Sequence, residues 1–161
     1  MLMNQVSEIE GVRITPINSL FDTRGIFAKF HPLNELKTSL DSVAISLNPI
    51  LGTIRGLHFQ LEPFAEEKLV TCLQGSVFDV AVDLRSESKT FGKWASYELS
   101  SSNRLQLFLP KGLAHGYQTL QPNSIIQYVL SAPYSSLHSF SINPFDEVGV
   151  AWPLNKPILS E

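Results

Sequence analysis

Short apolar runs broken by turn residues dominate the chain from residue 10 to residue 153. The stretch 69–84 reads as two strands around Gln74-Gly75-Ser76, the signal of a hairpin. In its second half Val77, Asp79, Ala81 and Asp83 fall on one face and Phe78, Val80, Val82 and Leu84 on the other, because successive strand side chains alternate. The same pattern predicts strands at 42–47, 53–60, 94–100, 105–109, 115–120 and 124–131. Turns recur at roughly 8–12-residue spacing, as in a sandwich or barrel. Most of the ten prolines lie between the runs, where they cost no ladder hydrogen bonds. A helix is predicted only over 33–40, after Pro32, with a few single turns elsewhere. No repeat or linker interrupts the pattern, so residues 1–161 are read as one all-β domain.

Composition narrows the function classes. Hydrophobic residues make up 43% and charged residues 17%, which is globular and argues against disorder. A net charge of −3 with no Lys/Arg cluster gives nucleic acid no footprint, so an anionic ligand must be held by a few local cations. Cys72 is the only cysteine, which rules out an intrachain disulfide or a zinc ribbon and suits a reducing compartment. The N-terminus has neither a basic region nor a long apolar run, and no stretch approaches the ~18 apolar residues of a membrane span. The expectation is a soluble, cytoplasmic domain with no membrane or nucleic-acid partner.

Candidate chemistry concentrates in Gly52-Thr-Ile-Arg55-Gly-Leu-His58-Phe-Gln60, in Glu67-Lys68-Leu-Val, and in Pro110-Lys-Gly-Leu-Ala-His115-Gly-Tyr117. Two histidines, a lysine and an arginine converging on one pocket would serve proton transfer on an anionic substrate. Each has a plainer reading. A lone strand histidine is ordinarily packed or on the surface. Lys68 after Glu66 and Glu67 reads as a solvated ion pair, worth less than about 1 kcal/mol. In a regular strand Arg55 and His58 face opposite ways, whereas His58 and Gln60 share a face. Only a bulge or bend at Gly56 would bring Arg55 and His58 together.

These segments, with Phe21-Asp-Thr-Arg24-Gly-Ile-Phe27, Val77–Arg85, Thr90-Phe-Gly-Lys-Trp94, Tyr134-Ser and Trp152-Pro153, resemble the dTDP-4-dehydrorhamnose 3,5-epimerase family from about residue 10 onward, in its order and spacing. The resemblance implies a cupin-type jelly roll (a double-stranded β-helix) that forms a homodimer and acts on a nucleotide-diphosphate-linked 4-keto-6-deoxyhexose. A proton at C3 or C5, beside the C4 ketone, leaves as an enolate. By similarity His58 is the base, Lys68 stabilises the enolate oxygen and Tyr128 is the proton donor. Arg24 and Arg55 match positions that hold diphosphate and sugar. Asn48, Gln60, His115 and Tyr134 match the substrate-binding set, and Asp79 is a candidate to orient His115. Neither cofactor nor metal is expected: where a metal cupin has His-x-His, this chain has His58-Phe-Gln60, and an amide is a poor ligand beside imidazole. His31 and His138 have no ligand spacing and are expected at the surface.

Three departures from the family pattern matter. Lys29 stands where the family usually has glutamate. The segment 46–51 is less polar than the family's, so Asn48 carries over weakly. The aspartate that backs the family's base histidine would fall beyond Pro157-Ile-Leu-Ser-Glu161, and without a carboxylate to fix its tautomer His58 would be a weaker base. Two alternatives therefore stand beside the epimerase: a nucleotide-sugar ketoisomerase using a similar enolate, and an inactive nucleotide-sugar-binding cupin.

Overall fold

The computed structural model describes residues 4–30, 36, 39–145 and 148–159. Its strands are β1 (Asn4–Gln5), β2 (Arg13–Pro16), β3 (Asn18–Asp22), β4 (Gly25–Lys29), β5 (Ser42–Asn48), β6 (Ile54–Gln60) and β7 (Lys68–Gln74), then β8 (Ser76–Asp83), β9 (Lys93–Ser100), β10 (Leu105–Leu109), β11 (Leu113–Thr119), β12 (Ser124–Leu130) and β13 (Ser139–Ser141). A six-stranded sheet, ordered β1-β9-β8-β11-β6-β13, faces a five-stranded sheet, ordered β2-β10-β7-β12-β5. Apart from the short β1, which runs parallel to β9, paired strands are antiparallel. The fold is the all-β jelly roll expected. Among the described residues there is no helix; the stretch 33–40 falls mostly outside them.

The expected alternation of β8 holds, and both faces are buried. Val77 and Ala81 enter the core between the sheets with Val70, Leu99, Leu107, Tyr117 and Ile126. Val80 and Val82 turn outward and pack with Leu57, Trp94 and Ala114 under Val148 and Val150 of the C-terminal segment. That double burial explains why six of the eight residues 77–84 are apolar.

The hairpin expected at Gly75 is absent, although the turn is real. β7 belongs to the five-stranded sheet and β8 to the six-stranded one, so the chain crosses the sandwich at this corner. Gly75 has φ +75°, and a Cβ there would lie 2.4 Å from the Ser124 Oγ. The corner is so tight that only glycine fits. A local turn signal reports a change of direction, not whether the flanking strands pair.

β3 and β4 pair only with each other among the described strands. The hairpin they form leaves Leu20, Phe21, Ile26 and Phe27 exposed. Arg104 lies over the Phe21 ring at 4.9 Å from its centroid, a cation–π contact that ties the hairpin to the turn after β9.

Candidate active site

A cavity of about 280 Å³ opens between the two sheets. The six-stranded sheet contributes Arg55 and His58 from β6 and His115 and Gly116 from β11. The five-stranded sheet contributes Ser46 from β5, Lys68 from β7, and Tyr128 and Leu130 from β12; Glu66 completes the wall. His58, Lys68, His115 and Tyr128 thus line one space, as the sequence led us to expect.

A bulge makes this possible. His115 pairs with His58 and Tyr117 with Arg55, so two residues of β6 stand opposite the single Gly116 of β11. The extra residue falls at Gly56-Leu57 and resets the alternation, turning Arg55 and His58 to the same cavity. Two glycines permit the close approach: a Cβ on Gly116 would lie 2.5 Å from the Arg55 carbonyl oxygen, and one on Gly56 would lie 2.5 Å from the Gly116 Cα.

The electrostatics assign distinct states to the titratable groups. His58 is exposed, yet partial desolvation, then the charges of Lys68, His115 and Arg55, hold its pKa below the usual imidazole value. It is therefore neutral, and able to accept a proton, at neutral pH. Tyr128 is partly buried; desolvation, with Tyr117 and Asp79 nearby, pushes its phenol well above the ordinary range and keeps it protonated. His115 is buried, and its Nε2 lies 2.9 Å from both Oδ atoms of the fully buried Asp79. Burial raises the Asp79 pKa, and the His115 contact opposes that rise. The orienting contact expected between Asp79 and His115 is present. Edge-on to the His115 ring, at 6.2 Å between centroids, stands Tyr128.

Other candidates lie outside the lining of this cavity. Asn48 is buried, and its Oδ1 accepts from the Arg55 Nε at 2.9 Å and from the Tyr117 hydroxyl at 3.2 Å, while its Nδ2 donates to the Ser46 and Ser124 carbonyls. It aims Arg55 from behind the cavity wall. Gln60 is also buried, and its amide donates to the Phe64 and Pro133 carbonyls and accepts from the Ser135 N–H. Gln60 thereby pins two loops beside the cavity, and it lines the depression that adjoins it. Tyr134, 76% exposed, borders an adjoining depression with His58, Phe59 and Glu66. Arg24, which by resemblance matches a position that holds diphosphate or sugar, stands at the β3–β4 turn, its side chain 88% exposed and paired with Asp22, on a hairpin that joins neither sheet. His31 lies outside the described residues. His138 is half-buried, shares a hydrogen bond between its Nδ1 and the Ser135 hydroxyl and packs at a tilt against the Phe64 ring, so it braces a loop.

Sequence reasoning missed Ser46 and Glu66 as parts of the cavity, and the plainer reading of Lys68 as half of a solvated pair does not hold. The Glu66–Lys68 pair is not solvated: its atoms are 3.1 Å apart, with side chains 12% and 13% exposed. The i, i+2 spacing in extended chain, which puts two side chains on one face, was the available signal.

Residues 6–161 match the family model described as dTDP-4-dehydrorhamnose 3,5-epimerase. A protein of that name from Sinorhizobium fredii is 42% identical over 98% of this chain and 84% of its own length. A dTDP-4-dehydrorhamnose 3-epimerase from Streptomyces niveus is 33% identical over 94% of this chain and 76% of its own. The crystal structure of the 3,5-epimerase from Bacillus anthracis, with TDP and PPi bound, superimposes with a TM-score of 0.89 at 36% identity, covering 95% of this chain and 94% of that one. The matched length, the jelly roll and the cavity between its sheets agree: this chain belongs to the dTDP-4-dehydrorhamnose 3,5-epimerase family.

Proposed function

We propose that the protein epimerises a thymidine-diphosphate-linked 4-keto-6-deoxyhexose at C3, C5 or both, as a step in deoxysugar formation. The observation that carries the mechanism is the placement of His58 and Tyr128 on opposite sheets across one cavity. Inversion needs a base on one face of the ring and a donor on the other, and the neutral imidazole and protonated phenol suit those roles. His58 removes the proton beside the C4 ketone. Lys68 places its cation where the enolate oxygen gains charge, which lowers the barrier. Tyr128 returns a proton from the opposite face. Arg55, steadied by Asn48, meets the diphosphate with a fork that suits phosphate oxygens. His115, held by Asp79, binds the sugar within the same cavity.

The working unit is a homodimer in the cytoplasm. The apolar β3–β4 hairpin and the open edge strand β5, which exposes Val43, Ile45 and Leu47, support a partner copy covering both. Such an exchange would carry Arg24 to the partner's cavity, where the diphosphate needs a second cation. No helix among the described residues is long and apolar enough to cross a membrane.

Solvent deuterium incorporation into dTDP-4-keto-6-deoxyglucose, followed by NMR, tests the reaction. Label at C3 or C5, lost in His58→Ala, is the expected result, and its position identifies the centre inverted. A 3-keto product would select a ketoisomerase. Saturable binding with no exchange would select a binding protein instead.

A further inference from the structure

Glu66 is the single carboxylate among the described residues lining the cavity. It lies two residues before Lys68, at the entry to β7, and both side chains reach the same space, with 3.1 Å between Oε1 and Nζ. Both are largely shielded from water, which sets this pair apart from a surface ion pair that solvent would loosen. We propose that Glu66 is a positioning residue: it holds the Lys68 ammonium against the cavity wall, in the orientation that receives the substrate's C4 oxygen. This rests on the epimerase reading above.

The donor count supports the assignment. An ammonium has three N–H donors, so one committed to Glu66 leaves two for a ketone or enolate oxygen. Without that anchor a four-carbon stem samples several rotamers, and the cation loses its fixed relation to the reacting carbon. The charge balance points the same way. Lys68 shares the cavity with Arg55 and His58 from β6 and His115 from β11, while Tyr128 of β12 stays neutral. Asp79 of β8 is committed to His115. Glu66 is therefore the counter-charge on the substrate side, and it limits how far Lys68 disfavours the His58 imidazolium.

Glu66→Gln keeps shape and removes charge; Glu66→Asp keeps charge and withdraws it. With dTDP-4-keto-6-deoxyglucose, Glu66→Gln is expected to lower kcat about tenfold with KM within about twofold, because an orientation used mainly in the transition state is lost. Glu66→Asp should recover part of that loss. The chain has four histidines, so the His58 ring can be followed by NMR titration without any substrate. Its midpoint should fall further in Glu66→Gln, where Lys68 is left uncompensated. An unchanged kcat together with an unmoved His58 titration would overturn the proposal. Wild-type protein that exchanges no deuterium would sink the reaction itself, and the His58 titration would still decide whether Glu66 compensates Lys68.

Discussion

At the scale of single residues, His58 and Tyr128 are set to opposite protonation states by different means. Desolvation and neighbouring cations lower the His58 pKa, and desolvation first of all raises that of Tyr128. The pH–rate profile follows in sign. Proton removal needs neutral His58, so kcat/KM is expected to fall as pH drops through the histidine's pKa, with the acid limb centred below the ordinary value of about 6.5. An acid limb centred above that value would contradict the electrostatics described. Substitution separates the two roles. His58→Ala should lower exchange by about 10²–10⁴-fold, the usual worth of a positioned base. Tyr128→Phe keeps the base and removes the donor, so label washing into recovered substrate should outlast formation of the inverted product. Equal loss of both would argue against Tyr128 as the donor.

At the scale of elements, the bulge where β6 meets β11 decides what the site contains. Gly116→Ala would drive a Cβ into the Arg55 carbonyl and part the two strands. Overpacking of this kind typically costs about 1–3 kcal/mol, to be read from the urea midpoint, and here it should also remove activity by displacing Arg55 and His58. The end of β8 illustrates a structural use of charge. The fully buried Asp83 accepts hydrogen bonds from Arg85, Ser88 and Thr90, tying down the loop that follows it. Burial alone would raise its pKa; those bonds outweigh it and hold the carboxyl at about 2, from an ordinary 3.8. A depressed carboxylate stabilises the fold above its unfolded pKa. That contribution, about 2 kcal/mol, is lost as pH falls from about 4 through 2. Asp83→Asn should abolish this part of the acid dependence in urea unfolding measured across that window.

At the scale of the whole molecule, the uncovered β3–β4 hairpin and the distance of Arg24 from the cavity belong together. If the hairpin reaches a partner, Arg24 and His58 of one working site come from different copies. Arg24→Ala and His58→Ala proteins should each be impaired, and dimers mixed from the two should regain activity, because half of the sites in a mixed dimer carry neither change. No recovery on mixing, in a preparation shown by mass spectrometry to contain mixed dimers, would place both residues on one chain. Sedimentation of the wild type as a monomer would remove the basis for the exchange.

Alternation of apolar and polar residues was enough to locate the central strands, because the strand period is a local property: 105–109 coincides with β10, and β8 buries the two faces its pattern implied. The landmark segments around Arg55, His58, Lys68 and His115 likewise disclosed the family, since residue types at fixed spacing are written in the chain itself. The partners of those residues were not legible. Whether Gly75 closes a hairpin or a corner depends on the sheet to which each flanking strand hydrogen-bonds, and that is settled by distant segments. The turning of Arg55 toward His58 requires Gly116, sixty-one positions from Arg55 in sequence and in backbone contact in space. Glu66 read as a surface charge because burial is not a property of a residue's neighbours in sequence. The chain alone determined which side chains are available for acid–base chemistry; the packing of one sheet against the other decided which of them share a cavity, and in what charge state.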